Sequence, residues 1–373
     1  MNVEIKEVQS RRDRKEWVRF AFTHYRGHRY HVPQLFSDEV KYFDPRVNPV
    51  FDVADVRLFV AVRDGEVVGR ICGIINPLEA EKRGCKVGRF GWYESIDDAR
   101  VSAALLDEIK HWFQAEGCVE MTGPHGFSDL DPGGILVEGF DQVPTIAGSY
   151  HYPYYAGLLE AFGLEKAADY VEFRVDVSQP VPLLERMRGK LHAQNTHRVV
   201  TCSTRKQLLA AAADIWRVLE LVFTPLYGVV PLTKDQTLFY TKKYLSLVDP
   251  EFVKLAYRAD GGFVGFFIAI PNLSLSFRKA RGRLFPFGFA RILWEFKNPK
   301  TVDFLLAGGL PDEPTSALTV EALIQMYDSL KKRGVRYIET NRELETNTAV
   351  NRLWRRFTIV STRRTRVYQM SLE

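Results

Sequence analysis

Two matching hairpin patterns organise the chain. From Leu58, apolar and polar positions alternate through LFVAVRDGEVVGRICGIINP, with Asp64-Gly65 between two β-branched arms. Such alternation around an Asp-Gly pair predicts a β-hairpin. From Lys254 the pattern returns as KLAYRADGGFVGFFIAIPN. Recurrence at a domain-sized offset indicates an internal repeat.

The segments after each hairpin recur as well. LLDEIKHWFQAEGCVEM and LIQMYDSLKKRGVRYIET both predict an amphipathic helix that ends at a glycine and is followed by a strand. Each copy then closes with an aromatic-rich helix, YYAGLLEAFG or NRLWRRF, and a last strand. The second copy has an insertion between hairpin and helix. We therefore predict two tandem domains, residues 1–178 and 179–373, of the α/β (α+β) class.

Length and composition fit this division and exclude several functions. With 373 residues, of which 46% are hydrophobic and 26% charged, the chain has room for two ordinary cores. A net charge of +5 gives no reason to expect nucleic-acid binding. The four scattered cysteines form no CxxC pair, which predicts reduced thiols and no metal site. No apolar run suits a signal peptide or a membrane span, so we expect a cytoplasmic protein.

Two polar segments are candidate parts of a functional site. Residues 119–166 form a long loop rich in Gly, Pro and Asp with interleaved apolar residues, which is typical of a functional rather than a disordered loop. His24, His28 and His31 lie close together near the N-terminus. No Asp, Glu or Cys completes a metal-ligand set there, so this segment is expected to line an entrance or to pack across a sheet edge.

The order of elements in each half resembles the GNAT acyltransferase fold, whose sheet is mixed, mostly antiparallel and flanked by helices. The second half also resembles the N-x-x-A-x-x-L-Y motif that GNAT enzymes carry on the helix beside coenzyme A. The matching positions are Asn347, Val350, Leu353 and Trp354. The usual Gly-Phe after this motif is replaced by Thr358-Ile359.

Nearly the whole chain resembles a narrower family, the bacterial ceramide synthase-like, tandem GNAT-like proteins. The residues that carry this likeness are Val68-Gly69-Arg70-Ile71, Gly123-Pro124, Gly139-Phe140-Asp141, Pro144, Tyr154-Tyr155 and Gly282-Arg283-Leu284-Phe285-Pro286. The resemblance implies an N-acyltransferase that uses acyl-CoA or acetyl-CoA and acts on an amine of the sphingoid-base or amino-alcohol type. One departure is His151, where the family resemblance leads us to expect Asn.

The loops that should bind the coenzyme A pyrophosphate are acidic in both halves. GNAT enzymes place R/Q-x-x-G-x-G/A at a helix N-terminus, where free N–H groups favour an anion. Here Asp97 and Asp98 stand in the first loop, and Asp312 and Glu313 in the second. Acidic residues that merely cap a helix would give the same pattern. The candidate donor-binding residues are Arg89, Arg100, Asn341, Asn347 and Trp354.

Acyl transfer to an amine needs a base, an oxyanion donor and an acid for the leaving thiolate. The candidate bases are His151 and His125, because an imidazole titrates near neutral pH. Tyr155 aligns with the tyrosine that protonates the thiolate in many GNAT enzymes. Glu138 and Asp141 are further candidates, although a carboxylate that caps a turn is the simpler interpretation.

The insertion at residues 273–300 is basic and apolar at once. Seven Lys or Arg residues oppose the single Glu295, and large apolar residues stand between them. This mixture favours a peripheral contact with the inner membrane face or the binding of a long acyl-CoA. A helix packed on its own domain would look the same.

Three functions follow from these observations. The first is transfer of a long acyl chain from a thioester to an amine. The second is a non-catalytic GNAT-like module that binds a lipid or nucleotide, which the loss of both pyrophosphate loops favours. The third is an N-acetyltransferase for a small soluble amine.

Overall fold

The structure is a computed structural model that describes residues 2–191, 197–245, 247–284, 287–313 and 315–373. Phe285, Pro286 and Pro314, which belong to predicted motifs, lie outside the described residues. No helix in the described ranges is long and apolar enough to cross a membrane. Within the same ranges, no group of three or more His, Cys, Asp or Glu residues could hold a metal ion.

Seven strands and five helices follow one another in the N-terminal half, residues 1–178. They are β1 (Glu4–Glu7), α1 (Arg11–His24), α2 (Phe36–Tyr42), β2 (Asp55–Arg63), β3 (Glu66–Ile75), α3 (Pro77–Arg83), β4 (Val87–Ser95), α4 (Ala99–Ala115), β5 (Glu120–Gly123), β6 (Ile135–Glu138), α5 (Tyr154–Ala161) and β7 (Glu165–Asp176). Among the described residues there are also two short 3-10 helices, Pro49–Asp52 here and Pro250–Phe252 in the other half.

The C-terminal half, residues 179–373, repeats this order with additional helices. Its described elements are α6 (Pro182–Leu191), β8 (His197–Thr201), α7 (Arg205–Phe223), α8 (Lys234–Leu245), β9 (Val253–Arg258), β10 (Phe263–Pro271), α9 (Ser274–Ala280), α10 (Gly288–Lys297), β11 (Thr301–Gly309), α11 (Thr315–Lys332), β12 (Tyr337–Thr340), β13 (Glu343–Leu344), α12 (Thr348–Trp354) and β14 (Thr358–Ser371).

Both predicted hairpins are confirmed, and each depends on a turn residue with positive φ. Strands β2 and β3 pair antiparallel across Asp64-Gly65, where φ is 53° and 82°. Strands β9 and β10 pair antiparallel across a turn in which Gly261 has a φ of 90°. The helices after them, α4 and α11, are followed by Gly117 and Gly334, both left-handed as a helix C-terminus favours.

One mixed sheet runs through the whole molecule, in the order β1-β2-β3-β4-β5-β14-β7-β12-β11-β10-β9-β8. The described pairs are antiparallel except β4 with β5 and β11 with β12. The predicted fold class, a mostly antiparallel sheet flanked by helices in each half, is therefore confirmed. β6 and β13 lie off this path, on β14 and β7.

The last strands of the two halves are exchanged. β14, at the end of the chain, pairs with β5, where Tyr368 lies opposite Gly123. β7, the last strand of the N-terminal half, pairs with β12, where Arg174 lies opposite Glu339. β14 and β7 also pair with each other along their length. The sheet is thus continuous across residue 178, and the division there stays a prediction.

Helix α4 shows how the sequence builds the layers. Asp98 caps the helix by accepting a hydrogen bond from the Arg100 N–H. Leu105, Ile109 and Phe113 recur every four residues, so they share one face, and all three are fully buried on the sheet. Burial of each such side chain contributes about 1.5–3 kcal/mol to stability. A Cβ at Gly88 would lie 2.3 Å from the Phe113 ring, so β4 admits only glycine there.

Candidate active site

A polar cavity with about 660 Å³ of empty space lies between the two halves. We call it the polar chamber. It is lined by residues from the segments 125–133, 226–229 and 341–347, together with Arg89 and Tyr170.

Equivalent positions of the two halves supply opposite walls of the chamber. The paired register of β4 and β5 ends at Arg89 and Thr122, and that of β11 and β12 ends at Phe304 and Thr340. Just beyond these points, the His125 N–H donates to the Phe90 carbonyl at 2.7 Å. The Asn341 N–H donates to the Phe304 carbonyl at 3.1 Å. Both loops therefore leave the sheet at the end of a parallel strand pair, which is where open α/β sheets commonly bind ligands.

His125 is the buried imidazole of the chamber. Its Nε2 lies 3.4 Å from the Thr122 hydroxyl, and Gly228 packs so closely that an added Cβ would lie 3.2 Å from its Cε1. Burial, followed by the positive charges of Arg89 and Arg342, holds the pKa of His125 well below its usual range. The ring is therefore uncharged at neutral pH, the form that can accept a proton.

Carboxyl groups face the same space in two different states. Burial raises the pKa of Asp129, and it raises the pKa of Glu343 to about 7. The Asp131 carboxylate instead accepts hydrogen bonds from the Tyr42 hydroxyl, the Tyr240 hydroxyl and the Ser128 N–H. Asp131 thus fixes the loop, whereas burial favours the uncharged forms of Asp129 and Glu343.

Arg342 and Arg89 hold the walls together. Arg342 donates to the Asp129 and Asp131 carbonyls at 3.0 and 2.6 Å, so it joins the β12 loop to the loop after β5. Arg89 is almost fully buried, forms an ion pair with Glu79, and donates to the Gly228 carbonyl. A guanidinium with these partners shapes the chamber and contributes positive potential to it.

A second cavity, the apolar groove, adjoins the chamber and has about 600 Å³ of empty space. It is lined by one face of α7 and α8, by Ile268, Leu305 and Leu306 of the sheet, and by Leu130. The Tyr244 hydroxyl donates to the Leu130 carbonyl at 2.7 Å and so fixes this residue in place. Its lining is almost wholly apolar, as a hydrocarbon chain requires.

The segment 128–131 is the common wall of the two cavities. Ser128, Asp129 and Asp131 line the polar chamber, whereas Leu130 lines the apolar groove. On the sheet side, Asn341 of the chamber donates through its side-chain amide to the carbonyl of Leu305, a groove residue, at 3.0 Å. The two cavities therefore lie next to each other, one polar and one apolar.

Comparison with known proteins shows the family. The chain is 27% identical over 381 residues to protein YghO of Escherichia coli (strain K12), covering 99% of this chain and 95% of that protein. It is 30% identical over 270 residues to the bacterial ceramide synthase of Caulobacter vibrioides (strain NA1000 / CB15N), covering 71% of this chain and 69% of that protein. The chain belongs to the bacterial ceramide synthase family. No protein-family model matches it.

A solved structure agrees with the fold of this ceramide synthase family member. The tandem GNAT protein from the clavulanic acid biosynthesis pathway superposes over 100% of this chain and 99% of its own, with a TM-score of 0.56 and 14% sequence identity. The predicted tandem GNAT fold and the family resemblance are therefore confirmed. Fold and family together place the chain among the GNAT-type transferases.

The structure of this ceramide synthase family member brings four predicted site residues to the chamber. They are His125, Arg89, Asn341 and Asn347. Asn347 also caps α12, since its side chain accepts from the Val350 N–H. Trp354 lies on the same helix but is buried in the core of the C-terminal half.

His151 and Tyr155 lie in a separate cluster of aromatic rings. The Tyr155 hydroxyl is 3.0 Å from His24 Nε2 and accepts a hydrogen bond from the Ser95 N–H at 3.2 Å. His151 Nδ1 accepts from the Leu136 N–H at 3.2 Å. Burial lowers the pKa of His151 to about 3 and that of His24 to about 4, and it raises the pKa of Tyr155.

Three other predicted residues lie on the surface, away from the chamber lining. Glu138 is exposed and forms an ion pair with Arg364 at 3.2 Å. Asp141 is exposed in the loop after β6. Arg100 is exposed beside Asp98, the residue that caps α4. The roles assigned to all ten predicted site residues stay predictions.

Sequence reasoning missed several walls of the two cavities. Arg342 and Glu343 directly follow the predicted Asn341, so the polar end of a strand was the available signal. Tyr227 and Gly228 gave no such signal, because they lie in a loop between two helices. The apolar groove was also missed, since a stripe such as Leu208, Ile215 and Leu219 is typical of any helix packed on a core.

Proposed function

We propose that this protein is an N-acyltransferase that transfers a long acyl chain from acyl-CoA to an amine of the sphingoid-base or amino-alcohol type. The observation that carries the proposal is the wall at 128–131, with an acidic, histidine-containing chamber on one side and an apolar groove on the other. The relative named bacterial ceramide synthase supports the same substrate class.

The acyl chain of the donor is assigned to the apolar groove. Each buried CH₂ contributes about 0.8 kcal/mol, so a groove of this length separates a long chain from an acetyl group by several orders of magnitude in affinity. The thioester would then lie at the junction of groove and chamber, near Leu130, Leu305 and Asn341. The C-terminal half thus binds the donor in this proposal.

The amine is assigned to the polar chamber, where Asp129 and Glu343 can form hydrogen bonds with its head group. It reacts as the neutral amine, after the ammonium form has released one proton to water. The amine nitrogen attacks the thioester carbonyl, forming a C–N bond, and the C–S bond breaks. The proton from nitrogen passes to the uncharged imidazole of His125, and a proton returns to the departing thiolate. Free acyl-CoA and amine become an amide and coenzyme A.

The acidic residues near the N-termini of α4 and α11 are relevant to the alternative function, a non-catalytic binding module. Asp98 caps α4, and the Glu313 carboxylate is 2.9 Å from Arg258 and 2.8 Å from His197. In the part of each loop that the structure describes, an acidic side chain therefore stands where a pyrophosphate would need neutral N–H donors. If the protein binds long acyl-CoA without turnover, this second function replaces the first.

Release of free thiol from palmitoyl-CoA and from acetyl-CoA tests the proposal, with and without sphinganine. We expect sphinganine-dependent thiol release from palmitoyl-CoA and much less from acetyl-CoA. The predominant use of acetyl-CoA with a small soluble amine would contradict it in favour of an N-acetyltransferase. Product analysis by mass spectrometry should show an amide.

A membrane contact through residues 273–300, which the sequence predicted, belongs to the same function. Lipid substrates reside in bilayers, so an enzyme that uses them needs access to a membrane surface.

A further inference from the structure

Helix α10 exposes a row of large apolar side chains. Phe287 is 82% exposed, Trp294 63%, Phe289 57% and Leu293 43%. None of the residues Gly288–Lys297 is buried. Isolated exposed apolar residues are ordinary, but four large ones within eight positions form a patch that indicates an interaction surface.

Basic side chains surround this patch. The exposed cations of the same insertion are Lys279, Arg281, Arg283, Arg291, Lys297 and Lys300. The single acid, Glu295, already accepts a hydrogen bond from the Ser276 N–H at 3.0 Å. The surface is therefore positive as well as apolar, which matches an anionic bilayer in both respects.

The opposite face of α10 fixes the patch to the body of the protein. Ile292 and Phe296 pack against the buried pair Leu273 and Phe277. At the base of the insertion, the Arg278 guanidinium donates to the Arg29 carbonyl at 2.7 Å. The Phe36 N–H donates to the Gly282 carbonyl at 3.1 Å. Helix α10 thus packs on the protein through one face only. The large apolar side chains of its other face are exposed.

The inner face of α10 packs close to the lining of the apolar groove. The inner face of α10 shares a hydrophobic cluster with Leu247, and the next residue, Val248, lines the groove. The insertion also begins directly after β10, whose Ile268 lines the groove as well. The patch and the groove are therefore joined by packed apolar side chains.

We propose that α9 and α10 form a docking surface for anionic membranes, with Phe287, Phe289, Leu293 and Trp294 inserted between the head groups. The docking itself is independent of catalysis. The second part, passage of a lipid substrate from the docked surface into the groove, rests on the function proposed above.

Sedimentation of the full-length protein with sucrose-loaded vesicles tests the docking. Vesicles of phosphatidylcholine alone are compared with vesicles that contain about one third phosphatidylglycerol. We expect binding to the anionic vesicles, a weakening of at least about tenfold for the double variant Phe289→Ser/Trp294→Ser, and a similar loss for Arg291→Glu/Lys297→Glu. A blue shift of tryptophan fluorescence on binding should disappear with Trp294→Phe.

Matched variants separate docking from general effects. Leu221→Ser removes an exposed apolar residue on α7, and Arg12→Glu/Lys15→Glu reverses two exposed charges on α1, where no such apolar row accompanies them. Both should bind vesicles like the wild type, and all variants should melt at the wild-type temperature. Equal binding by the α10 variants would overturn the proposal. A dimer in solution that these variants dissociate would also overturn it, because the patch would then join two copies.

Activity distinguishes the two proposals from each other. With palmitoyl-CoA and sphinganine in detergent micelles, the α10 variants should release thiol at the wild-type rate, whereas with sphinganine in anionic vesicles they should be slower by about tenfold. Vesicle binding without any thiol release would retain the docking surface and reject the acyltransferase. Thiol release in micelles without vesicle binding would retain the acyltransferase and reject the docking surface.

Discussion

His125 and His151 are both buried, yet their positions suit different roles. His125 lines the polar chamber, and its Nε2 is 3.4 Å from the Thr122 hydroxyl. His151 instead uses its Nδ1 to accept a hydrogen bond from the backbone of Leu136, which lies in β6. An imidazole that accepts a hydrogen bond from the backbone has a structural role, whereas an imidazole at a cavity wall can exchange a proton with a ligand.

Replacement of the chamber histidine should slow the reaction without preventing folding. We expect His125→Gln to lower kcat by about 10²–10⁴-fold, the usual contribution of a general base, with little change in palmitoyl-CoA binding. His111→Gln, which changes an exposed histidine on α4, is the matched control. Steady-state thiol release and direct binding measure the two effects. An unaltered kcat in the chamber variant would remove His125 from the mechanism.

The buried state of His151 predicts a pH-dependent stability. Its pKa is about 3 in the folded chain and about 6.5 after unfolding, so between these values the unfolded chain binds the extra proton. Stability should therefore fall as the pH drops through this window. His151→Gln should reduce the slope by at most about 1.4 kcal/mol per pH unit.

Urea unfolding at about pH 5 and pH 7 checks this slope. His24 and His31, whose pKa values burial also lowers, contribute in the same direction, so the variant removes only part of the dependence. His111→Gln again serves as the control. A slope in His151→Gln equal to that of the wild type would show that the ring does not stay uncharged in the fold.

Elements that depend on local sequence pattern were predicted correctly, whereas features that depend on tertiary contacts were not. The hairpins were predictable because the alternation and the Asp64-Gly65 turn are local properties of the chain. The predicted helices before Gly117 and Gly334 were confirmed as α4 and α11 for the same reason. The groove was not predictable, since the apolar stripe of α7 looks the same whether it meets a core or an open cavity.

Filling the groove should change the preference for chain length. Ala212 of α7 lines the groove, and Ala212→Phe would occupy the space of several methylenes. We expect kcat/KM for palmitoyl-CoA to fall by at least about tenfold, because loss of two buried CH₂ groups is enough for that, while short acyl donors are unaffected. Ala213→Phe, at the adjacent exposed position, is the control. Equal losses for all donors would mean that the groove does not hold the acyl chain.

The whole molecule is one sheet shared by two similar halves. β14 completes the sheet beside β5, and β7 completes it beside β12. The sequence predicts both strands but not the strands with which they pair. Alternation of apolar and polar residues indicates a strand without indicating its neighbour in the sheet. The polar chamber could not be predicted from the sequence for the same reason. His125 and Asn341 are far apart in the chain and meet only because the sheet is continuous.

The exchanged strands predict that neither half is stable alone. Residues 1–178 lack β14, and residues 179–373 lack β7, so each fragment has an unpaired edge where the sheet should continue. Separate expression should yield aggregated or unfolded chains by circular dichroism, and co-expression should restore a complex. A cooperative thermal transition of residues 1–178 alone would contradict this.

Cleavage of the intact protein gives a matched comparison. A protease site inserted after residue 178 should be cut without separating the two halves in gel filtration, until denaturant is added. The uncut form of the same protein is the control. Separation under native conditions would show that the exchanged strands do not hold the halves together.

The exchange of strands also sets the order of events during synthesis. The roughly 180 residues between β7 and β14 take about 10–40 seconds to translate, and throughout that time β5 has no partner on its outer edge. The N-terminal half emerges first from the ribosome but is completed last, by the fourteen residues of β14. Loss of β14 would therefore damage the part of the chain that is made first, and chaperones should engage this protein until β14 has emerged from the ribosome.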